Sequence, residues 1–319
     1  MKAAPGARGR LTPTRAHFGL QVASRISGAF AAAIALMVLA APAGAAPAKC
    51  AGAAARDTEL RCVSDTKTVT PTPDEAIVTP NVACTRAAVE GAADACSYGV
   101  KQPVATVALL GDSHAAHWRA GLDVVAKAKR WRVLEFARPH CPFSFATPAA
   151  SQAGADDCVA YNQRVLHWLG SHPSVTTVFV SNNARLEMAE RGRDYRVRGD
   201  MAAFAWLPAS VQKIFVLRDT PTNLLATPDC IRGAIRRQVE AGARCAVPRR
   251  RALVTDPTVV AAAREPRARV IDLTSFFCSS KACLPVVGGV LVHKDQDHLT
   301  QDFSASLGPY IARAVDSSA

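Results

Sequence analysis

Aromatic residues are scarce in this chain, 6% of 319, and none interleave with its basic clusters RGAIRR (232–237) and PRRR (248–251). Binding nucleic acid by base stacking needs aromatic faces among the cations, so no nucleic-acid partner is expected. Both clusters read first as solvated faces, and otherwise as contacts for an anionic glycan or lipid surface. Neither Gly-x-Gly-x-x-Gly nor Gly-Lys-Ser/Thr occurs, which removes the usual phosphate cradles. There is no Cys-x-x-Cys and no His–Cys cluster at ligand spacing, so a structural zinc site is not expected. The reading calls for no metal and no cofactor. No internal repeat is visible. The apolar run from Ile26 to Ala41 falls short of the roughly 20 residues a spanning helix needs.

That run has a different use. Lys2, Arg8, Arg10, Arg15 and Arg25 precede it, and Ala43-Gly44-Ala45 follows it. A basic start, a short apolar stretch and a small-residue cleavage site make residues 1–45 a secretory signal, or failing cleavage an N-terminal anchor. Lys49 stands where a lipobox before Cys50 would need a small residue, so lipidation is not expected. The formal charge is +12, and the leader holds five positive charges and no acids, which leaves +7 after it. A basic mature chain suits an anionic envelope surface, and general arginine enrichment explains it equally well. All ten cysteines lie between Cys50 and Cys283. An even number beyond an export signal predicts disulfides. The spacing suggests five local staples: Cys50–Cys62, Cys84–Cys96, Cys141–Cys158, Cys230–Cys245 and Cys278–Cys283.

Residues 46–104 read as an irregular lead-in, with TVTPTPDEAIVTPNVAC extended and punctuated by proline. From 105 to 319 strands alternate with helices. ATVALLGD, WRVLEFA, VTTVFVS, KIFVLRDTP and ARVIDLTSF read as strands. HAAHWRAGLDVVAKAKR, DDCVAYNQRVLHWLGSH, CIRGAIRRQVEAG (ending at Gly242), DPTVVAAAREP and DFSASLGPYIARAV (with Pro309 as a kink) read as helices. Such alternation predicts an α/β fold, a three-layer sandwich around a central parallel sheet of flavodoxin-like type, stapled by disulfides. Working residues then gather beyond the carboxyl ends of the strands. Ser113, the pair Asn182–Asn183, Asp219 and Ser275 all fall there.

ALLGDSHAAHW (108–118) places Ser113 directly after a buried-strand run. A serine hydroxyl needs a base to take its proton, usually a histidine held by a carboxylate. His114 and His117 are too close in sequence to fold back onto it, and read as turn and helix residues. Asp219 reads as a residue that binds a cation or closes a turn, the turn being the preferred reading. Near the other end, LVHKDQDHLT carries Asp295 three residues before His298, a spacing that can turn a carboxylate back onto a ring nitrogen. The plainer reading is a polar loop with Thr300 capping the last helix. Together, each motif supplies what the other lacks.

With these residues the chain resembles the SGNH (GDSL-like) hydrolase superfamily. It is most similar to the SGNH domain at the C-terminus of acyltransferase-3 type membrane O-acyltransferases. LLGDSHAAHW and DQDHLT carry the resemblance, which HCPF (140–143), Cys158 and DLTSFFC (272–278) support, over roughly residues 84–316. It implies Ser113 as nucleophile, His298 as base and Asp295 as its orienting acid, with Asp112 shaping the turn. The Ser113 N–H and an asparagine amide, Asn183 ahead of Asn182, would form the oxyanion hole. The superfamily's glycine after the second strand is missing from FARPHCPFSFA, so backbone N–H groups from Arg138 to Cys141 would have to substitute. The expected function is an exported serine acyl-transfer enzyme acting on O-acyl, above all acetyl, esters of cell-envelope polysaccharide. It would serve as an O-acyltransferase component, receiving acyl groups from a separate membrane acyl-donor protein. The alternatives are a carbohydrate esterase of the same fold and a non-catalytic glycan-binding module. A monomer, periplasmic or extracellular, is expected.

Overall fold

The computed structural model describes residues 48–60, 62–86 and 95–318. The expected leader, residues 1–45, lies outside them. A seven-stranded sheet forms the centre, in the order Ala268–Ile271, Lys213–Leu217, Thr177–Ser181, Ala105–Gly111, Trp131–Ala137, Cys96–Gly99, Thr85–Arg86. The first five run parallel, and the last two add an antiparallel edge. The α/β three-layer architecture expected from the alternation is the one present. The edge comes from the segment expected to be irregular: Cys96–Gly99 pairs with the Trp131–Ala137 strand.

Alternate residues of the parallel strands enter two separate cores. Val107, Leu109, Phe179 and Phe215 face the helices Arg119–Lys129 and Gln301–Asp316. Ala108, Leu110, Val178, Val180, Ile214 and Val216 face Cys158–Ser171, Arg193–Ala205 and Pro257–Ala262. Burial on both faces explains why these strands read as unbroken apolar runs. The five disulfides are the five local pairs that the spacing suggested.

Several elements differ from the sequence reading, for identifiable reasons. Pro73–Val78 is a helix rather than extended chain. Thr72 and Glu75 form a capping box, with proline in the first turn. The long helix expected after Ser113 is two, Ser113–Ala116 and Arg119–Lys129. The helix expected to reach Gly242 stops at Arg236, and Gln238 follows with φ of 54°. Arg193–Ala205 has no counterpart in the sequence reading. Its buried face carries an ion pair, Arg196 Nε to Asp200 Oδ1 at 2.8 Å, so its apolar periodicity is broken.

The strand that leads to Ser113 ends on Gly111, at φ of 143°. A Cβ there would meet the Ser181 carbonyl oxygen at 1.9 Å. Only glycine lets the two strand ends close up before the turn. Gly111→Ala is expected to cost about 1–3 kcal/mol of stability, read by urea unfolding with the disulfides intact. An unchanged midpoint would contradict this account of the turn.

Candidate functional site

Ser113 opens a short helix immediately beyond the central strand. Asp112 caps that helix, accepting the His114 N–H at 2.8 Å, and also takes the Asn183 N–H at 2.9 Å. One buried carboxylate therefore ties the serine turn to the loop after the neighbouring strand. Burial raises the Asp112 pKa, and charge on His114 and the Asn183 hydrogen bond oppose that rise. As expected, Asp112 shapes the turn. Among the described residues, no hydrogen bond occupies the Ser113 N–H.

His298 lies in the loop before the last helix. Its Nδ1 is 2.9 Å from Asp295 Oδ2, and Asp295 Oδ1 accepts the His298 and Asp297 backbone N–H groups at 2.8 and 3.1 Å. Burial raises the Asp295 pKa, but the hydrogen bonds from His298 outweigh it and hold the carboxyl well below the usual range. A carboxylate only accepts, so Nδ1 carries a proton, and in the neutral ring Nε2 is then the acceptor. Ser113, His117, Asp295 and His298 line one cavity of about 240 Å³. The Ser113 hydroxyl makes no hydrogen bond among the described residues. The hydrogen bond to His298 Nε2 that a Ser–His pair would use is therefore not formed in this structure, and in free sites such bonds are often long. Thr79, Pro80 and Asn81 supply another wall, and Asn81 Nδ2 donates to the Ala116 carbonyl. The segment read as a mere lead-in thus helps to shape the cavity.

The oxyanion candidates separate. The buried Asn182 side chain is held in place: Oδ1 accepts the Phe143 N–H at 2.8 Å and Nδ2 gives one of its two N–H groups to Thr258 Oγ1 at 3.1 Å. Neither Asn182 nor Asn183 is among the residues that line the cavity with Ser113 and His298. The Asn183 Oδ1 accepts the Arg185 N–H, which leaves its Nδ2 uncommitted. In the stretch that lacks the glycine, the Arg138 N–H donates to Gly111 O and the Cys141 N–H to Arg138 O. Pro139 has no N–H, so only the His140 N–H remains from that group. Ser275 does not line the cavity; it sits in the helix Thr274–Phe277, where its carbonyl accepts from Arg56.

Two groups gain a place that the sequence reading did not give them. His114 is fully buried, with Nδ1 2.6 Å from Asp219 Oδ1. Its ring lies 5.1 Å from that of His298 and 4.9 Å from that of His117. Asp219, expected to close a turn, does accept the Thr220 N–H at 2.8 Å, but also takes the Ala184 N–H at 2.7 Å. The signal was present as an aspartate beyond a strand. Only the strand order shows that it reaches across the Thr177–Ser181 strand to the serine turn. Among the described residues, two triads bring ligand-type atoms within 4.8 Å of one another, His114–Asp297–His298 and His114–His117–Asp219; in the second, the 2.6 Å His114–Asp219 contact is a direct hydrogen bond that an ion would have to replace. A larger open cleft of about 620 Å³, lined by Arg218, Arg249, Arg250 and Lys281 together with Asp256 and Ser280, does not include Ser113 or His298.

Among the described residues, neither ring nitrogen of His117 or His293 has a hydrogen-bond partner. Burial pushes His117 well below its ordinary pKa, helped by the charge of His114. Burial also pulls His293 down to about 4, against the pull of Asp295 and Asp297. Between the ordinary value of 6.5 and about 4, the unfolded chain takes a proton at this position and the native one does not. Native stability is therefore lost as pH falls through that window. Asp256, raised by burial to about 6, works in the opposite sense, so the comparison must be differential. From about pH 7 to about pH 5, wild type is expected to lose about 2 kcal/mol relative to His293→Gln in urea unfolding. A pH-independent difference would contradict a neutral buried His293.

Residues 83–313 match the family described as "SGNH domain (fused to AT3 domains)". The chain belongs to this SGNH family. No curated protein sequence matches it. Among solved structures, it is similar to the periplasmic domain of the lipopolysaccharide acetyltransferase of Salmonella ser. Paratyphi A. The identity is 14% and the TM-score 0.53, over 68% of this chain and 85% of that one. At that identity the likeness is one of fold. Family and fold together support acyl-related chemistry of the SGNH type, esterase or acyltransferase. With the five disulfides they fit an exported protein. Among the described residues, no helix is long and apolar enough to cross a membrane.

Proposed function

We propose that this SGNH protein is a serine acyl-transfer enzyme acting on O-acyl esters of cell-envelope polysaccharide, as the extracytoplasmic component of an O-acyltransferase. The observation that carries the reading is one cavity, at the carboxyl ends of the strands, lined by Ser113 and by a His298 already oriented by Asp295. In the first half-reaction His298 Nε2 takes the Ser113 proton, and Oγ attacks the acyl carbonyl. The oxyanion is held by the Ser113 N–H, with Asn183 Nδ2 as second donor. Collapse breaks the ester bond, and the leaving oxygen takes the proton from His298. In the second half an acceptor hydroxyl gives its proton to His298 and attacks the acyl-serine, which frees Ser113. A membrane acyl-donor protein would supply the first ester, and no cofactor is needed.

A second reading, a carbohydrate esterase, is favoured by one feature. The His298 and Asp295 side chains are 29% and 46% exposed, so water reaches the base. Both readings are tested by supplying a chromogenic acetyl ester with and without oligosaccharide acceptors. Acetylated oligosaccharide, formed at the expense of free acetate, supports transfer. Acetate release unaffected by any acceptor supports the esterase, and neither product rules out both.

A further inference from the structure

We propose that His114 is a positioning residue: a buried imidazolium, set between Asp219 and Asp297, that keeps the base loop in register with the nucleophile turn. The catalytic half of this inference rests on the reading of Ser113 and His298 given above; the charge assignment does not.

The argument begins with hydrogen-bonding capacity. A neutral imidazole has one donor and one acceptor nitrogen, whereas a carboxylate only accepts. His114 Nδ1 is 2.6 Å from Asp219 Oδ1, so Nδ1 carries a proton. Nε2 makes no hydrogen bond and has Asp297 Oδ2 at 3.7 Å. That is too long for a hydrogen bond but within ion-pair range. No water-exposed surface relieves the ring, which is fully buried. A bare lone pair there would face a carboxylate, while a proton there is attracted to it. The other groups around it are Asp112, also an anion, and the rings of His117 and His298. Burial disfavours charge on His114, but Asp219, Asp297 and Asp112 outweigh it and hold its pKa well above the ordinary value.

Three segments meet at this pair. Asp219 binds the Ala184 N–H of the asparagine loop. Thr220 Oγ1 donates to the Asp297 carbonyl at 3.3 Å, and the Asn223 N–H donates to the Gln296 carbonyl at 2.7 Å. Asp297 also competes for the base: its Oδ1 is 3.3 Å from His298 Nδ1, against 2.9 Å for Asp295. The His114 charge draws the Asp297 carboxylate to itself and leaves His298 to Asp295. Without it, Asp297 takes a larger share of Nδ1 and turns the ring away from Ser113.

Two measurements on the full chain test this. In histidine ¹⁵N-labelled wild type at about pH 8, one buried ring is expected to carry protons on both nitrogens. That signature should be lost in Asp219→Asn and absent in His114→Gln. A neutral His114 ring in wild type overturns the charge, and this readout needs no turnover and no folded variant. In ester turnover, His114→Gln is expected to lower kcat about 10–100-fold with KM changed less than about threefold. His114→Gln/Asp297→Ala is expected to recover at least about fivefold of that loss, because the competitor is gone. A merely structural role would make the double variant no better than the single one, and that result overturns the positioning. An imidazolium in a chain without turnover on any ester defeats the proposed function and the positioning together, and leaves the charge assignment standing.

Discussion

Ser113→Ala is expected to lower kcat/KM for ester turnover by at least about 10³-fold, and to leave the unfolding midpoint nearly unchanged. The substitution removes one oxygen that makes no hydrogen bond among the described residues, so the fold loses little. The chemistry loses its nucleophile. His298→Ala should cost about as much, and the double variant no more than either alone, because the two act as a unit. Asp295→Asn should cost about 10²–10⁴-fold. An amide can turn its NH₂ group to His298 Nδ1, which moves the ring proton to Nε2, where the base needs a lone pair. Stopped-flow or steady-state assays with an activated acetyl ester read all four. Retention of more than about a tenth of the activity in Ser113→Ala would remove the nucleophile assignment.

Asp200→Ala is expected to destabilise the protein by about 3–5 kcal/mol. Asp200 is fully buried beneath Arg196, which is 3% exposed. Burial disfavours the guanidinium, but Asp200, followed by Asp112, outweighs it and keeps it charged. Removing the carboxylate strands that charge in the interior. The loss should spread towards the site. Asp200 Oδ2 accepts from Thr258 Oγ1, which in turn accepts from Asn182 Nδ2, while Asn182 Oδ1 holds the Phe143 N–H. The same chain therefore anchors the asparagine loop. Replacing both charges, as in Arg196→Met/Asp200→Leu, should cost less than Asp200→Ala alone, because nothing charged remains buried. Urea unfolding under non-reducing conditions decides it, and a loss below about 1 kcal/mol would contradict the account.

These two sites show what the sequence could and could not display. The five parallel strands were legible because burial on both faces leaves them as apolar runs. The disulfides were legible because each closes a short local loop. The Asp295–His298 contact was legible because the carboxylate sits three residues before the imidazole, within one turn of loop. The helix Arg193–Ala205 was hidden by its buried Arg196–Asp200 pair, which breaks the apolar stripe that helix reading depends on. The helix Pro73–Val78 hid behind its prolines, although Thr72 and Glu75 were at capping-box spacing. His114 and Asp219 stand 105 residues apart. Their contact depends on strand order, which local pattern does not encode. Asn182 and Asn183 look alike in sequence. Backbone direction commits the first to Phe143 and Thr258 and leaves the second an uncommitted amide.

The most direct test of the central claim is to trap the acyl-serine. Wild-type protein is mixed with a slowly turned-over activated acyl ester, quenched in acid and digested for mass spectrometry. The account predicts one acyl group on the peptide that contains Ser113, absent from Ser113→Ala and strongly reduced in His298→Ala. Acylation at another residue, or ester turnover in which Ser113 never carries the group, would contradict it.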